Sequence, residues 1–204
     1  MKIGVVDYEA GNLKSVETAL LSIGAEFTVS DKPEPLLATD RLVFPGVGDA
    51  KAAMDVLRRS GLADAVTRFF ETGKLILGIC VGSQIVLDAS EENDATCLGL
   101  VPGIARRFPV DLGLKVPHMG WNQVRNTEGH PLFEGIAPGT SFYFVHSYYP
   151  DPDRGEYRLG TTDYGITFAA GVQRENLMAV QFHPEKSGEA GLRLLDNFLA
   201  MSDR

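Results

Sequence analysis

The segment that most constrains the fold is an apolar run that leads directly into a cysteine. Leu75–Ile79 has the length and composition of a buried strand, Cys80 follows it, and a helical pattern continues through Leu87. Glycines stand two residues before and two residues after the cysteine, at Gly78 and Gly82. Residues without a Cβ relieve the crowding of a sharp strand-to-helix turn. The segment therefore predicts a nucleophile elbow, in which the turn lifts the cysteine sulfur above a β-sheet.

The order of apolar segments predicts the fold class. In the first half, short apolar runs alternate with stretches of helical period, which is the pattern of a parallel sheet covered by helices. There the predicted strands are Ile3–Asp7, Phe27–Ser30, Arg41–Phe44 and Leu75–Ile79, and the predicted helices are Asn12–Ile23, Ala50–Arg59 and Leu62–Glu71. The second half has shorter predicted strands and a closing helix, namely Ile104–Phe108, Phe142–Val145, Tyr157–Thr162, Thr167–Gln173, Met178–Phe182 and the helix Ser187–Ala200. We predict an α/β three-layer sandwich with a mixed, mostly parallel sheet and helices on both faces, in one domain that spans residues 1–204.

Composition and charge limit the kinds of partner and the compartment that we expect for the chain. The chain has 204 residues and a formal net charge of −8, so neither nucleic acid nor a membrane is an expected partner. The N-terminal segment lacks the long apolar core of a signal peptide, and no apolar run is long enough to cross a bilayer. The two cysteines do not make a disulfide framework. We expect a protein of the reducing cytoplasm, where a free thiol stays reactive.

Cys80 is the candidate nucleophile. The elbow directs the N-terminus of the following helix at the sulfur, and backbone N–H groups there favour a thiolate and can hold a developing oxyanion. The alternative is that Cys80 is a small buried core residue, as free cysteines often are.

His183 and Glu185 are the candidate base and its orienting carboxylate. A thiol nucleophile usually needs a histidine base, and the base needs a group that holds it. His183 follows an apolar strand, and Pro184 keeps the chain extended so that both side chains can face the same side. Read alone, His-Pro-Glu is also typical of a surface turn. His146, which ends another apolar strand, is a rival base without a nearby carboxylate in the sequence.

The other two histidines carry weaker signals. His118 lies between Pro117 and Met119, in a segment that we interpret as a loop. His130 precedes a proline in a predicted turn, where a structural role is expected.

The loop Pro45-Gly46-Val47-Gly48 ends a predicted parallel strand. Ligands of open α/β sheets bind at the carboxyl ends of such strands, and glycines let backbone N–H groups approach a substrate closely. An ordinary strand-to-helix turn would look similar. The loop lacks the lysine and hydroxyl residue of a phosphate-binding loop. No spacing of cysteines and histidines predicts a metal site, and no cofactor is indicated.

Taken together, these motifs resemble those of the class I (triad) glutamine amidotransferases. The resemblance rests on Pro45–Gly48, Gly78–Gln84 and Val180–Ser187, which occur in the family's order. It implies a flavodoxin-like fold, a single glutamine amidotransferase domain, and hydrolysis of glutamine to glutamate and ammonia through a cysteine thioester.

The resemblance also implies individual roles. Cys80, His183 and Glu185 would form the catalytic triad. Backbone N–H groups of Val81 and, after a loop adjustment, Val47 would form the oxyanion hole. The residues implied to hold the glutamine are Gly46, Gly48, Gln84, Ser147 and Tyr148.

Three further stretches resemble the glutaminase subunits of imidazole glycerol phosphate synthases. They are Asp7–Asn12, Lys115–Asn122 and Tyr143–Tyr148, of which the second is the most specific. This likeness implies a heterodimer with a (β/α)8-barrel cyclase subunit. The cyclase would use the ammonia to make imidazole glycerol phosphate and an aminoimidazole carboxamide ribotide in histidine biosynthesis. The residues implied to face that partner are Asn12, Met119, Trp121, Tyr143 and Lys186.

The sequence departs from the family pattern at two places. Val81 and Ser83 stand where leucine and methionine are usual, which matters little for a backbone donor. Asp49-Ala50 follows the glycine loop where a small and an aromatic residue are usual, which could alter how readily the loop rearranges.

Three alternatives stay open at the level of sequence. One is a glutaminase subunit of another synthase, such as that of pyridoxal phosphate synthesis. Another is a non-catalytic scaffold for the synthase, and a third is a stand-alone cysteine hydrolase that acts on another amide.

Overall fold

A computed structural model describes residues 1–8 and 11–202, so Glu9 and Ala10 of the Asp7–Asn12 stretch lie outside the described residues. The strands are β1 (Ile3–Val6), β2 (Phe27–Ser30), β3 (Arg41–Gly46), β4 (Ile76–Cys80), β5 (Ala89–Ser90), β6 (Ala95–Thr96), β7 (Gly103–Arg107), β8 (His118–Asn126), β9 (Thr140–His146), β10 (Tyr148–Pro152), β11 (Arg158–Tyr164), β12 (Ile166–Arg174) and β13 (Leu177–Val180). The α-helices are α1 (Leu13–Ser22), α2 (Pro33–Leu37), α3 (Ala50–Arg59), α4 (Leu62–Glu71), α5 (Val81–Ile85) and α6 (Gly188–Ala200).

Nine strands form the main sheet, in the order β2-β1-β3-β4-β13-β12-β11-β8-β9. The strands from β2 to β13 pair in parallel, and those from β13 to β9 pair antiparallel. A smaller sheet has the order β10-β7-β5-β6. The α/β class and the mixed sheet predicted from the sequence are confirmed.

The parallel half of the main sheet forms the centre of the core. Every residue of β1, β3, β4 and β13 is buried. Because successive side chains of a strand point to opposite faces, complete burial means that both faces of this half are covered. The β3 and β4 ladder brings Gly46 opposite Cys80, so the glycine loop and the cysteine meet at one edge of the sheet.

The structure extends the sequence prediction mainly in the second half. His118, which we interpreted as part of a loop, instead begins β8. β8 was not predicted because it lacks the apolar run of a buried strand. Most of its residues are at least partly exposed. The helix after Cys80 ends at Ile85, before the predicted Leu87. His130 accepts a hydrogen bond from the Leu132 backbone N–H at 3.1 Å, in agreement with the predicted structural role.

Close packing at Gly82 generates a prediction about stability. A Cβ at this position would lie 2.4 Å from the carbonyl oxygen of Phe44, so Gly82→Ala forces β3 and α5 apart. We expect the variant to lose about 1–3 kcal/mol of unfolding free energy, measured by urea denaturation. Gly155→Ala is the matched control, because a Cβ there meets no described atom within 4 Å. Equal stability of the two variants would contradict the close approach.

Candidate active site

Cys80 lies at the sharp turn between β4 and α5. Its backbone has φ 54° and ψ −109°, a left-handed conformation that costs energy for a residue with a side chain. The turn needs its two glycines for physical reasons. A Cβ on Gly78 would lie 2.7 Å from the Cβ of Ala179, and a Cβ on Gly82 would strike the backbone of Phe44. This is the geometry of the predicted nucleophile elbow.

His183 and Glu185 lie together beside the elbow. The Nδ1 atom of His183 and the Oε1 atom of Glu185 are 2.8 Å apart, and both side chains are fully buried. The same carboxylate oxygen accepts a hydrogen bond from Asn12 Nδ2 at 3.0 Å. Since a carboxylate only accepts, Nδ1 of the imidazole carries the proton of this bond. The Nε2 atom is buried and has no hydrogen bond of ordinary geometry to the described residues, which leaves it free to act on Cys80.

The charges of this group determine the protonation of His183. Burial lowers its pKa, but contacts with Cys80 and Glu185 outweigh the burial and raise the pKa to about 9. A histidine with this pKa is an imidazolium at neutral pH. It is therefore able to stabilise a thiolate on Cys80 and to donate a proton to a leaving group.

A cavity of about 270 Å³ opens over Cys80 and His183. Other residues that the resemblance implies in the site also line it, namely Val47, Gly48, Val81, Gln84, Ser147 and Tyr148. Gly46 is not part of the lining. It is buried at the end of β3, where a Cβ would lie 2.9 Å from both the Val81 Cβ and the Gly82 backbone nitrogen. Val81 is the first residue of α5, so its backbone N–H has no acceptor inside the helix.

Sequence reasoning missed several groups near the sulfur. Glu92 lines the cavity, and its Oε2 atom accepts from the Ala50 backbone N–H at 2.7 Å. Burial raises the pKa of this carboxyl group. Gln181 Nε2 lies 3.8 Å from the Cys80 sulfur. The hydroxyl of Tyr8 is buried without a partner among the described residues, and burial together with the charge of Cys80 raises its pKa well above the usual range. Gln181 belongs to the motif before His183 and Tyr8 to the Asp7–Asn12 stretch, whereas Glu92 lies in none of the motifs identified in the sequence.

His146 is not a second base for the cysteine. Its Nδ1 atom lies 2.7 Å from the carbonyl oxygen of Tyr148, and its Nε2 atom lies 2.9 Å from Nδ1 of His118. Both ring nitrogens are therefore occupied. The rival interpretation made from the sequence is wrong, because tertiary partners that the sequence does not reveal bind the imidazole.

Asp49 has a local structural role. Its side chain caps α3 by accepting from the Ala52 backbone N–H at 2.8 Å, and it also accepts from Asn93. The end of the glycine loop is thus anchored to the segment that carries Glu92. Gly48, at φ 91°, lies just before this anchor.

The residues implied to face a partner occupy two kinds of position. Met119 and Trp121 on β8 are 59% and 60% exposed, which is unusual for large apolar side chains. Trp121 pairs with Tyr143 of β9, and their ring centroids are 6.2 Å apart. Lys186 is exposed. Asn12, in contrast, is buried and bound to Glu185.

Among the described residues, no group of three or more histidine, cysteine, aspartate or glutamate side chains is arranged to hold a metal ion. None of the helices in residues 1–8 and 11–202 is both long and apolar enough to cross a membrane.

The raised pKa of His183 can be measured directly. We expect its imidazole to titrate near pH 9 in a ¹⁵N NMR titration, and Glu185→Gln to lower that pKa because it removes the carboxylate that stabilises the imidazolium. Glu189→Gln, which changes an exposed glutamate at the start of α6, is the control and should leave the titration unchanged. A wild-type titration near pH 6.5 would refute the assigned charge state.

Known proteins are similar to this chain in sequence and in fold. The family model for "Glutamine amidotransferase class-I" matches residues 4–201. Two solved structures align over almost the whole chain. One is a glutamine amidotransferase, with a TM-score of 0.72, 24% identity and coverage of 97% of each chain. The other is PurLQS from Thermotoga maritima, with a TM-score of 0.74, 19% identity and coverage of 98% of this chain and 97% of the other. At these identities the structures bear on the fold alone.

Curated relatives are more similar in sequence. Imidazole glycerol phosphate synthase subunit HisH of Dehalococcoides mccartyi (strain CBDB1) is 46% identical over 201 residues, which cover 98% of this chain and 97% of the relative. The same subunit of Moorella thermoacetica is 48% identical over 197 residues, or 96% and 93% of the two chains. The chain therefore belongs to the class I glutamine amidotransferases and, within them, to the family of the HisH subunit.

Proposed function

We propose that this chain is the glutaminase subunit of an imidazole glycerol phosphate synthase. It hydrolyses glutamine and supplies the ammonia to a cyclase subunit. The observation that carries the proposal is that Cys80 and His183 line one cavity, with the buried carboxylate of Glu185 bound to His183. The membership of the chain in the HisH family supports imidazole glycerol phosphate synthase as the enzyme to which this subunit belongs.

The first half of the reaction forms a thioester. The Cys80 thiolate attacks the side-chain amide carbon of glutamine, and the carbonyl oxygen becomes an oxyanion. His183, held by Glu185, then donates a proton to the amide nitrogen, the C–N bond breaks, and ammonia leaves. In the second half, His183 takes a proton from water as the water attacks the thioester. The C–S bond breaks, and glutamate departs with Cys80 restored.

Backbone donors hold the oxyanion. The N–H of Val81 starts α5 next to the sulfur, so its direction is fixed by the elbow. The second donor is the N–H of Val47, which belongs to the loop between β3 and the cap of α3. A loop that must rearrange to present this donor gives a slow isolated enzyme, because loss of one oxyanion donor costs about a hundred- to thousandfold in rate.

The cavity suits a small amino acid with an amide side chain. Its volume of about 270 Å³ is near the lower limit of the roughly 300–1,000 Å³ found for ligand pockets. Glu92 places a carboxylate on the wall, where it complements an α-ammonium group. Gly48, Gln84, Ser147 and Tyr148 contribute the remaining contacts to the substrate.

The cyclase subunit docks on the exposed face of β8 and β9. This face combines Met119 and Trp121 with Tyr143, whose carbonyl oxygen accepts from the His183 backbone N–H at 2.9 Å. Aromatic side chains of this kind often carry much of the energy of an interface. The partner is the (β/α)8-barrel cyclase with which the chain forms a heterodimer, and it consumes the ammonia in a lyase reaction. We place the heterodimer in the cytoplasm, where Cys80 stays reduced.

Replacement of the nucleophile tests the reaction. We expect Cys80→Ala to lower glutamate release by at least about a thousandfold in the complex with the cyclase and its nucleotide substrate, because no thioester can form. Affinity for the cyclase should not change.

Cys97→Ala is the control, since Cys97 is buried outside the cavity. Glutamate release by Cys80→Ala at the wild-type rate would exclude Cys80 as the nucleophile. Absence of glutamate release by the wild-type complex would favour the scaffold alternative.

Replacement of the exposed tryptophan tests the partner. Trp121→Ala should weaken binding to the cyclase by about thirtyfold or more in calorimetry, because a buried aromatic anchor at an interface is worth about 2 kcal/mol or more. Leu21→Ala, which removes a side chain that is 62% exposed on α1, should change the affinity less than about threefold. Equal effects of the two substitutions would show that the cyclase binds elsewhere.

A further inference from the structure

A chain of hydrogen bonds runs from the surface strand β8 into the wall of the cavity. Asn122 Nδ2 lies 3.1 Å from His118 Nε2. His118 Nδ1 lies 2.9 Å from His146 Nε2, and His146 Nδ1 lies 2.7 Å from the Tyr148 carbonyl oxygen. Neither histidine has a part in the reaction proposed above, although His146 lines the cavity.

The partners at the two ends fix the direction of this chain. The Tyr148 carbonyl oxygen only accepts, so Nδ1 of His146 carries a proton. The Nε2 atom of a neutral His146 then accepts, so Nδ1 of His118 donates to it. The Nε2 atom of His118 accepts in turn from the amide of Asn122. That amide is held by two further bonds, because Asn122 Oδ1 accepts from the Gln123 backbone N–H at 2.8 Å and Nδ2 donates to the Asp163 carbonyl oxygen at 3.0 Å.

Both imidazoles must be neutral for the chain to exist. An extra proton on either ring would place two N–H groups face to face, either between the rings or between His118 and Asn122. The surroundings agree with this requirement. Burial lowers the pKa of His118 to about 4 and that of His146 to about 3. Phe108, Phe144 and Phe168 pack around the pair.

The Tyr148 carbonyl oxygen also begins a second chain, which leads to the nucleophile. It accepts from Gln84 Nε2 at 3.0 Å, and the same nitrogen donates to Gln181 Oε1 at 2.9 Å. Gln181 Nε2 in turn lies 3.8 Å from the Cys80 sulfur. One carbonyl oxygen thus joins the histidine pair to two side chains that stand between the pair and Cys80.

We propose that His118 and His146 form a neutral positioning pair that fixes the Tyr148 carbonyl oxygen, and with it the glutamine-binding wall formed by Tyr148 and Gln84. The proposal rests on the proposed glutaminase function and deepens it. The pair does not touch the reacting atoms. The pair holds the substrate-binding groups at the correct position relative to Cys80. Loss of the pair therefore raises KM for glutamine more than it lowers kcat.

The same pair connects the glutamine-binding wall to the exposed face of β8 and β9, where the cyclase docks. His118 begins β8, and the exposed Met119 follows it directly. His118 pairs with His146 across the β8 and β9 ladder, as Met119 pairs with Val145, which also lines the cavity. A partner that shifts β8 therefore moves one end of the hydrogen-bond chain that ends at Tyr148.

The test separates hydrogen bonding from packing. His118→Phe keeps a ring among the neighbouring aromatic residues but removes both nitrogens, which leaves Nε2 of His146 without a donor. We expect it to raise KM for glutamine about tenfold in the complex with the cyclase and its nucleotide substrate, with kcat within about twofold. His118→Asn places an amide donor near the former Nδ1 and should keep KM within about threefold. Phe168→Leu removes a ring that packs on both histidines but none of the hydrogen bonds of the chain, so it should lower stability but leave KM unchanged.

The outcomes distinguish this inference from the proposed function. An unchanged KM in a folded His118→Phe complex overturns the positioning role, as does an equal rise of KM in Phe168→Leu. A wild-type complex that releases no glutamate defeats the proposed function instead. If His118→Phe does not fold, ¹⁵N NMR of the wild-type chain decides the matter. Protonation of Nδ1 on both rings supports the pair, and any other tautomer on either ring overturns it.

Discussion

The contact between α5 and β3 is the constraint on which the rest of the site depends. The backbone of Gly82 approaches the Phe44 carbonyl oxygen so closely that no Cβ fits between them. This approach holds Cys80 in its left-handed conformation and sets the first N–H of α5 beside the sulfur. The ladder between β3 and β4 then brings Gly46 to the same level as the cysteine. Cys80, the N-terminus of α5 and Gly46 are therefore positioned by backbone packing.

Of three buried imidazoles, that of His183 is charged at neutral pH, and those of His118 and His146 are neutral. All three side chains are buried, and burial lowers the pKa of each. Of the three, His183 has a carboxylate and a thiol as neighbours, and these outweigh burial. His118 and His146 have neutral partners, so burial prevails. The difference lies in the hydrogen-bond partners of each ring and not in its depth.

The features that could be predicted from the sequence are those built from neighbouring residues. The elbow is local, because Gly78, Cys80 and Gly82 are within five residues, and His183 and Glu185 are two residues apart. The roles of Glu92 and His118 were missed because each depends on contacts with segments far away in the chain. β8 was missed because exposed strands of mixed polarity lack a clear period. Asp49 could have been identified as a helix cap, since aspartate before a helical stretch is a common capping signal.

The backbone of His183 is hydrogen-bonded to β9, at the outer edge of the main sheet. The Tyr143 carbonyl oxygen accepts from the His183 N–H at 2.9 Å, and the Tyr143 N–H donates to the Ser187 hydroxyl at 3.0 Å. β9, which holds Tyr143, lies at the edge of the main sheet beside β8. β9 has a neighbouring strand on one side only, whereas β4, which ends at Cys80, has neighbouring strands on both sides. A displacement of β9 would therefore move the backbone of His183 relative to Cys80.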